Sequence, residues 1–105
     1  MTAAGYAMHP ATSQAHDGRT VVVVTGAIDV TNAEDFAAEL NDLPGPRPAI
    51  VDLTRLDYLD SDGLAVLDPM LADGTIVIVL PAESPLRAAA DLVGLPSYER
   101  IDLVP

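Results

Sequence analysis

The sequence contains no cysteine and no lysine among its 105 residues. Without cysteine the chain has neither disulfides nor thiolate chemistry, which fits the cytoplasmic localisation that we expect. Because the chain has no lysine, every mechanism that depends on a lysine amine is excluded. All five cationic side chains are therefore arginines.

Positive charge is scarce as well. Five arginines stand against sixteen acidic residues, which gives a formal net charge of −11. Proteins that bind nucleic acid neutralise its phosphates with Lys and Arg, so a nucleic-acid partner is not expected. The same net charge opposes docking on an anionic membrane surface, so a membrane partner is not expected either.

The sequence also lacks long apolar runs and clusters of metal-binding side chains. No run approaches the ~20 apolar residues of a transmembrane helix, and the first residues lack the pattern of a signal peptide. His9 and His16 lie in a polar stretch with no second pair nearby, so neither a metal nor another cofactor is expected. There is no glycine-rich phosphate loop and no nucleophile–base pair close to a histidine. We therefore expect a protein that is not an enzyme.

The first half of the chain contains two apolar segments with a turn signal between them. Strands are predicted at residues 6–13 and 19–26, and the Asp17-Gly18 dipeptide is typical of a turn that joins them as an antiparallel hairpin. The run of four valines at residues 21–24 is continuous rather than alternating. This pattern predicts a strand that is buried on both faces.

Later segments alternate between helices and strands. A first helix is predicted from Thr31, where Thr31-Asn32-Ala33-Glu34 has the spacing of a capping box. A second helix follows an acidic loop at residues 58–65, in which Tyr58 is expected to be half-buried. A third helix is predicted from Ser84-Pro85 to Gly94, with Val93 on its apolar stripe. The remaining strands are predicted at 49–53, 75–80 and 100–104.

This order of elements predicts an α/β fold. We expect a mixed sheet of four to five strands with an N-terminal antiparallel hairpin and about three helices. The length predicts a single domain over residues 1–105, of which residues 1–5 are expected to fray. Binding sites in such sheets favour the carboxyl ends of strands, and the acidic loop follows the strand at 49–53. The acidic loop is therefore the candidate site.

The acidic loop places Ser61 between Asp60 and Asp62, directly before Gly63 and Leu64. Backbone N–H groups at a helix N-terminus have no internal partners, and they favour negative charge. The aspartates therefore have two interpretations, which the residues alone leave open. Either they cap and stabilise the helix, or they form a surface on which a partner reads or adds negative charge.

Two segments of the chain carry a specific resemblance. GAIDVTNA at residues 26–33 is similar to G-x-[IL]-D-x-x-[NT]-A, and DLTRLDYLDSDGLAVL at residues 52–67 is similar to D-L-[ST]-x-[VL]-x-[FY]-[ILM]-D-S-[ST]-G-L-[GA]-[VL]-[LI]. Both patterns belong to the STAS domain family, in particular to stand-alone anti-sigma-factor antagonists of bacteria. Residues 86–95 resemble the family's third helix with its closing Gly-Leu. The resemblance covers residues 20–104 and implies a STAS-like fold.

The resemblance implies a function in signalling by partner switching. In this family, the unmodified domain binds an anti-sigma factor of the ATP-binding kinase type and thereby frees a sigma factor. Phosphorylation of the loop then breaks the complex. The implied partner-binding residues are Asp29, Asp60, Ser61, Asp62, Gly63 and Leu64.

Two features of the chain depart from the family pattern. The family's phosphorylated Ser or Thr directly precedes the glycine, and that position is Asp62 here, which has no hydroxyl group. Ser61 occupies the preceding, usually unmodified position, where Asp60 and Asp62 would repel a phosphate. We therefore expect phosphorylation to be absent or altered. Pro69 also falls where the family usually continues a helix.

Two other functions stay open. One is a non-catalytic scaffold or interaction STAS module of another signalling assembly, although that role usually needs an additional N-terminal domain. The other is a receiver-type phosphoacceptor, which resembles this chain in size and alternation. A receiver needs an acidic pair after its first strand and a lysine after a late strand, and this chain has neither.

Overall fold

The computed structural model describes residues 5–105. These residues form five strands, three α-helices and two short 3-10 helices, at Gln14–His16 and Ile101–Leu103. The predicted α/β fold, with its mixed sheet, N-terminal hairpin and three helices, is confirmed. In chain order the elements are β1 (Tyr6–Ser13), β2 (Arg19–Ile28), α1 (Ala33–Asn41), β3 (Ala49–Asp52), β4 (Leu56–Leu59), α2 (Ser61–Ala72), β5 (Ile76–Val79) and α3 (Arg87–Val93).

The long strand β2 organises the sheet. It pairs antiparallel with the whole of β1. On its other side it pairs parallel with β3, through residues 21–23, and with β4, through residues 26–28. β3 pairs in turn with β5, and Tyr98 adds a parallel bridge to Val79 at the outer edge of β5.

A turn separates β3 from β4, which the sequence does not predict as a strand of its own. The Asp52 carboxylate accepts hydrogen bonds from the Thr54 backbone N–H at 2.9 Å and from the Thr54 hydroxyl at 2.5 Å. The Leu56 N–H then donates to the Leu53 carbonyl at 3.1 Å. The chain therefore leaves β3, turns, and returns to the same side of β2.

The three helices cover one face of the sheet. Val22 and Val24 of β2 are fully buried in the core on that side. Val21 and Val23 point to the opposite face, because side chains alternate along a strand, and they are only half-buried. The prediction that β2 is buried on both faces is therefore wrong for the second face. The largest buried side chains of the core are Ile28, Phe36, Leu40, Leu53, Leu67, Ile76, Ile78 and Leu80.

The C-terminal segment partly covers this second face. Val104 is buried there against Ile50 and Val79. The predicted strand at 100–104 is wrong, since Ile101–Leu103 form a 3-10 helix. The reason is positional: Tyr98 already pairs with the edge of β5, and the residues that follow pack on the sheet instead of extending it.

The start of α1 differs from the predicted capping box. The helix begins at Ala33, and its N-cap is Asn32, which makes no capping hydrogen bond through its side chain. Thr31 lies one residue before this N-cap, and its backbone N–H and hydroxyl both donate to Asp29 Oδ1, at 2.8 Å and 2.5 Å, which holds its side chain in the Asp29 turn. A competing local turn thus takes the side chain that the capping box needs.

The third helix begins at Arg87, later than predicted, and it ends at the predicted place. Gly94 ends it in the left-handed conformation at φ 70°, as predicted. Val93, predicted to be buried, is 57% exposed, so that prediction is wrong. Leu95 is buried instead, because the chain turns back at Gly94 and directs this next apolar side chain inward.

Strand β1 is fastened to α1 through Tyr6. Its ring meets Phe36 edge to face with 5.4 Å between the ring centres, and its hydroxyl donates to Glu39 Oε1 at 2.7 Å. Burial, and then the hydrogen bond and charge of Glu39, raise the pKa of Tyr6 above its usual value. The phenol therefore stays neutral and keeps its hydrogen bond well into alkaline solution.

The free edge of β1 is interrupted by a proline. Gly5 is exposed, and its carbonyl accepts a hydrogen bond from the N–H of its opposite residue, Ala27, at 2.9 Å. Hydrogen-bonded positions alternate along an antiparallel ladder. The backbone N–H and C=O groups of odd-numbered β1 residues therefore point towards β2, and those of even-numbered residues point away from the sheet. Pro10 therefore removes an N–H group from the outer edge, a known protection against strand addition. Residues 1–4, the rest of the segment expected to fray, lie outside the described residues.

Gly26 permits a close approach of β1 and β2. Its φ is +92°, and a Cβ atom at this position would lie 2.3 Å from the Gly5 carbonyl oxygen and 2.9 Å from Tyr6 Cα. Both neighbours are backbone atoms, which a side-chain rotation cannot move away. Gly74 has a similar φ of +80°, but a Cβ atom there would have no neighbouring atom within 4 Å.

We expect Gly26→Ala to destabilise the protein more than Gly74→Ala. Both changes place a side chain in the left-handed region, at a cost of about 1–2 kcal/mol. Only Gly26→Ala adds a clash with backbone, which costs about 1–3 kcal/mol more. Urea unfolding of both variants measures the difference. Equal losses of unfolding free energy would show that the close approach of β1 to Gly26 adds nothing to the cost of a side chain there.

Candidate functional site

The predicted site residues lie where β2 and β4 end. Ile28 and Leu59 pair at the last step of the two parallel strands, and the Asp60 N–H donates to the Ile28 carbonyl at 3.2 Å. Asp29 and Asp60 are the residues that follow. The fold therefore brings together, at one end of the sheet, two acids that are far apart in the sequence.

Asp60 is the N-cap of α2. Its Oδ1 accepts a hydrogen bond from the Gly63 N–H at 3.0 Å, and its carbonyl accepts one from the Leu64 N–H at 2.9 Å. The residue is extended, at φ −89° and ψ −175°, and half-buried. The capping interpretation is therefore right for Asp60, and it leaves the second carboxylate oxygen without a hydrogen bond to any of residues 5–105.

Gly63 seats the start of α2 against the strand ends. A Cβ atom here would lie 2.4 Å from Leu59 Cδ1 and 3.0 Å from Ile28 Cγ2. Gly63 and Leu64 are both buried. These two predicted site residues therefore position the loop, and they offer a partner little surface of their own.

Ser61 and Asp62 form the exposed part of the site. Both lie in the first turn of α2, which then continues through Pro69 to Ala72. Within the described part of the chain, neither side chain has a hydrogen-bond or ion-pair partner. A hydroxyl and a carboxylate are thus displayed to solvent on a backbone that the Asp60 cap and Gly63 hold in place.

Asp29 is held by a compact turn. Its Oδ1 accepts from the Thr31 N–H at 2.8 Å and from the Thr31 hydroxyl, while its own N–H donates to Asn32 Oδ1 at 2.9 Å. Asn32 is buried and also donates to the Ala27 carbonyl at 3.0 Å. Asn32 is not among the predicted site residues, although its side chain tethers the Asp29 turn to the end of β2.

The same aspartate–threonine turn occurs twice more. Asp52 with Thr54 and Asp73 with Thr75 repeat both hydrogen bonds, with 2.9 Å to the backbone N–H and 2.5 Å to the hydroxyl. At Asp73 these bonds from Thr75 lower the pKa of the carboxyl group. The turn is therefore a recurrent way in which this chain leaves an element, and it is not by itself a mark of function.

Tyr58 and its neighbour Asp57 both face solvent. Tyr58 is 52% exposed, which agrees with the expectation that it is half-buried, and Asp57 is exposed as well. The register explains this: Gly26 pairs with Leu56 but Ala27 pairs with Tyr58, which leaves Asp57 as an extra residue in β4. Such a bulge breaks the alternation that a sequence pattern relies on.

Two further observations concern metal ligands and membrane-spanning helices. Among residues 5–105, no group of three His, Asp or Glu side chains is placed to hold a metal ion. No helix in that range is long and apolar enough to cross a membrane.

Comparisons with known proteins agree with the resemblance. A family model described as "Mlab, STAS domain" matches residues 11–96. An anti-sigma factor antagonist from Mycobacterium paratuberculosis is 26% identical, with a TM-score of 0.66 over 93% of this chain and 89% of that chain. The STAS domain of an antisigma-factor antagonist from Rhodobacter sphaeroides is 19% identical, with a TM-score of 0.51 over 70% of this chain and 82% of that chain, which supports the fold alone. No curated protein sequence matches.

The structure predicts different roles for the two acids of the loop. Asp60→Ala removes the cap and should lower the free energy of unfolding by about 0.5–2 kcal/mol, whereas Asp60→Asn keeps the capping oxygen and should cost much less. Asp62→Ala removes no hydrogen bond and should cost less than Asp60→Ala. Thermal and urea unfolding of the three variants test this order, and a loss for Asp60→Asn equal to that of Asp60→Ala would contradict the capping role.

Proposed function

The chain belongs to the STAS domain family, and on that premise we propose that it is an anti-sigma-factor antagonist. In this role it binds an anti-sigma factor of the ATP-binding kinase type and thereby frees a sigma factor. The M. paratuberculosis antagonist, which matches most of this chain, supports the general role. The kinase type of the partner rests on the motifs at residues 26–33 and 52–67.

The observation that carries the proposal is the exposed acidic first turn of α2. Asp62 and Ser61 project from a helix start that is fixed by the Asp60 cap and by the close packing of Gly63. Asp29 stands beside them at the end of β2. A rigid, preformed surface of this kind binds a partner at a low cost in conformational entropy.

The charge of this surface indicates the chemistry of the partner. Three carboxylates lie at one end of the sheet, at Asp29, Asp60 and Asp62, in a chain with a net charge of −11. A partner that offers Arg or Lys is attracted at long range, which mainly raises the association rate and the specificity. We therefore propose contacts from a basic rim of the anti-sigma factor to Asp29, the Asp60–Leu64 turn and the exposed side of α2.

We propose that phosphorylation does not switch this protein at the usual place. Asp62 occupies the acceptor position and supplies one negative charge, while a phosphoserine supplies about −1.5 to −2. Asp62 is thus a partial and permanent imitation of the modified state. Either the protein is a constitutively weak antagonist, or its partner is adapted to a fixed charge and regulation acts elsewhere.

The remaining properties follow from the binding role. We propose a cytoplasmic, non-catalytic protein without a metal or cofactor, which binds neither nucleic acid nor membrane. Support comes from the missing lysine and cysteine and from the net charge. Tight calorimetric binding of Mg²⁺ or Zn²⁺ by the acids at 52–62 would contradict this description.

A second candidate function is that of an interaction module in another signalling assembly. The observation in its favour is the description of the matching family model, which names Mlab and not an anti-sigma-factor antagonist. A scaffold of this kind would not depend on a nucleotide-binding kinase, so the presence or absence of nucleotide would not change its affinity for its partner. A receiver-type role has less support, since the chain lacks the lysine that such phosphoacceptors use.

The first test concerns the acidic loop. We expect Asp62→Arg to slow association with the anti-sigma factor and to weaken its salt dependence, because it reverses a charge at an exposed position without touching the Asp60 cap. Binding kinetics at low and high salt, with each purified ATP-binding anti-sigma factor of the source genome, measure both effects.

Asp42→Arg is the matched control for that experiment. Asp42 is exposed at the end of α1, near Pro44, whose carbonyl accepts a hydrogen bond from Thr20 at the start of β2. It therefore lies at the opposite end of the sheet from the acidic loop. Equal slowing by both variants would show that net charge alone steers association, and unchanged kinetics for Asp62→Arg would exclude the loop from the interface.

The second test concerns phosphorylation. After incubation with the kinase partner and ATP, we expect no phosphate on the native protein, because position 62 has no hydroxyl and Asp60 and Asp62 repel a phosphate on Ser61. We expect Asp62→Ser to acquire one, with Asp62→Ala as the control that lacks an acceptor. Intact-mass spectrometry and peptide mapping decide the outcome, and stoichiometric phosphate on native Ser61 would overturn the prediction.

A further inference from the structure

The last turn of α3 presents two apolar side chains to solvent. Leu92 is 89% exposed, more than any other large apolar side chain among residues 5–105, and Val93 is 57% exposed. Two adjacent apolar side chains that are this exposed form a candidate contact surface, since burying them in a complex would be favourable. Exposure alone does not identify a partner, but the surroundings of Val93 do.

Val93 borders a small cavity beside the acidic loop, which we call the α3 pocket. Its volume is about 150 Å³, and its rim includes Ser61, Ala65 and Asp68 of α2. The buried side chains of Leu64 and Leu95 complete its lining. A cavity of about 150 Å³ is large enough for one benzene-sized group, so this pocket fits a single apolar side chain.

The charge around the α3 pocket has one sign. Asp68 lines it, the exposed Asp62 is the sequence neighbour of Ser61, and none of the lining residues is basic. The nearest arginine of α3, Arg87, is engaged by Ser97 at 2.5 Å and by Asp91 at 3.7 Å. An apolar cavity with an acidic rim is complementary to an apolar side chain that has basic neighbours.

We propose that the α3 pocket receives one apolar side chain of the anti-sigma factor, flanked by Arg or Lys residues that face Asp62 and Asp68. This inference rests on the proposed function, and it extends the docking surface from the first turn of α2 onto the end of α3. Leu92 and Val93 are then buried against the partner. Ser61, on the rim of the pocket, is covered in the same complex.

Other occupants fit the α3 pocket less well. A second copy of this chain would place its own acidic rim against Asp62 and Asp68, and like charges at an interface oppose association. An anionic membrane surface is disfavoured for the same reason. A partner with basic residues is the occupant that the charges favour.

Three aspartate variants test the proposal. Val93→Asp adds a charge to the lining of the α3 pocket, and Leu92→Asp adds one at the neighbouring exposed position. Leu103→Asp is the matched control, since Leu103 is also an exposed leucine, at 46%. Leu103 lies in the C-terminal 3-10 helix, whose Ile101 carbonyl is 3.3 Å from His16 Nε2 in the β1–β2 loop. It is thus carried by a different part of the molecule.

Calorimetric titration with the purified anti-sigma factor that binds the native protein gives the affinities. We expect Leu92→Asp and Val93→Asp to raise Kd by at least about tenfold, and Leu103→Asp to change it by less than about twofold. All three positions are exposed, so circular dichroism and thermal unfolding should show intact folds. A photo-crosslinking residue at position 92, but not at position 103, should form a covalent adduct with the partner.

The outcomes separate this inference from the proposed function. If the native protein binds an anti-sigma factor and Asp62→Arg slows that binding, while Leu92→Asp and Val93→Asp bind normally, the α3 pocket is not part of the interface. If no anti-sigma factor of the source genome binds the native protein, both the proposed function and this inference are overturned. Equal weakening by Leu92→Asp and Leu103→Asp would show that the loss of affinity does not depend on the α3 pocket and would also overturn the inference.

Discussion

The pairing of β2 with three other strands is the constraint on which the structure depends. β1 lies along one side of this ten-residue strand, while β3 and β4 share the other side end to end. Because β4 ends level with β2, the residues that follow the two strands meet at the same place. The acidic surface is therefore a consequence of strand register, and it does not need a dedicated insertion.

Much of the fold follows from sequence, because its helices have apolar stripes, its central strands are continuous apolar runs, and glycine and proline residues separate these elements. β4 is not predicted for a physical reason. Leu56–Leu59 contains a bulge at Asp57, so its buried and exposed residues do not alternate. The segment at 100–104 fails for another reason. Its pattern fits a strand, but Tyr98 already pairs with the edge of β5, and the residues that follow form a 3-10 helix.

The sequence predicts that the candidate site residues lie at one end of the sheet, but it does not predict the contacts of each residue there. The resemblance selects Asp29 and residues 60–64 together, and the register of β2 and β4 shows why they meet. What the sequence does not reveal is which of them cap and pack, as Asp60 and Gly63 do, and which face solvent, as Asp62 does. Exposure depends on the elements that lie above a residue, and the same reason explains the error at Val93.

The proline on the outer edge of β1 has a consequence for dosage. An antagonist that works by sequestering another protein acts in proportion to its free copies. A neutral eight-residue edge strand would let copies join sheet to sheet as their number rises, and each junction would withdraw molecules from that pool. Pro10 disfavours this self-association. A cell that doubles its synthesis of the protein should therefore come close to doubling the number of copies that are free to bind a partner.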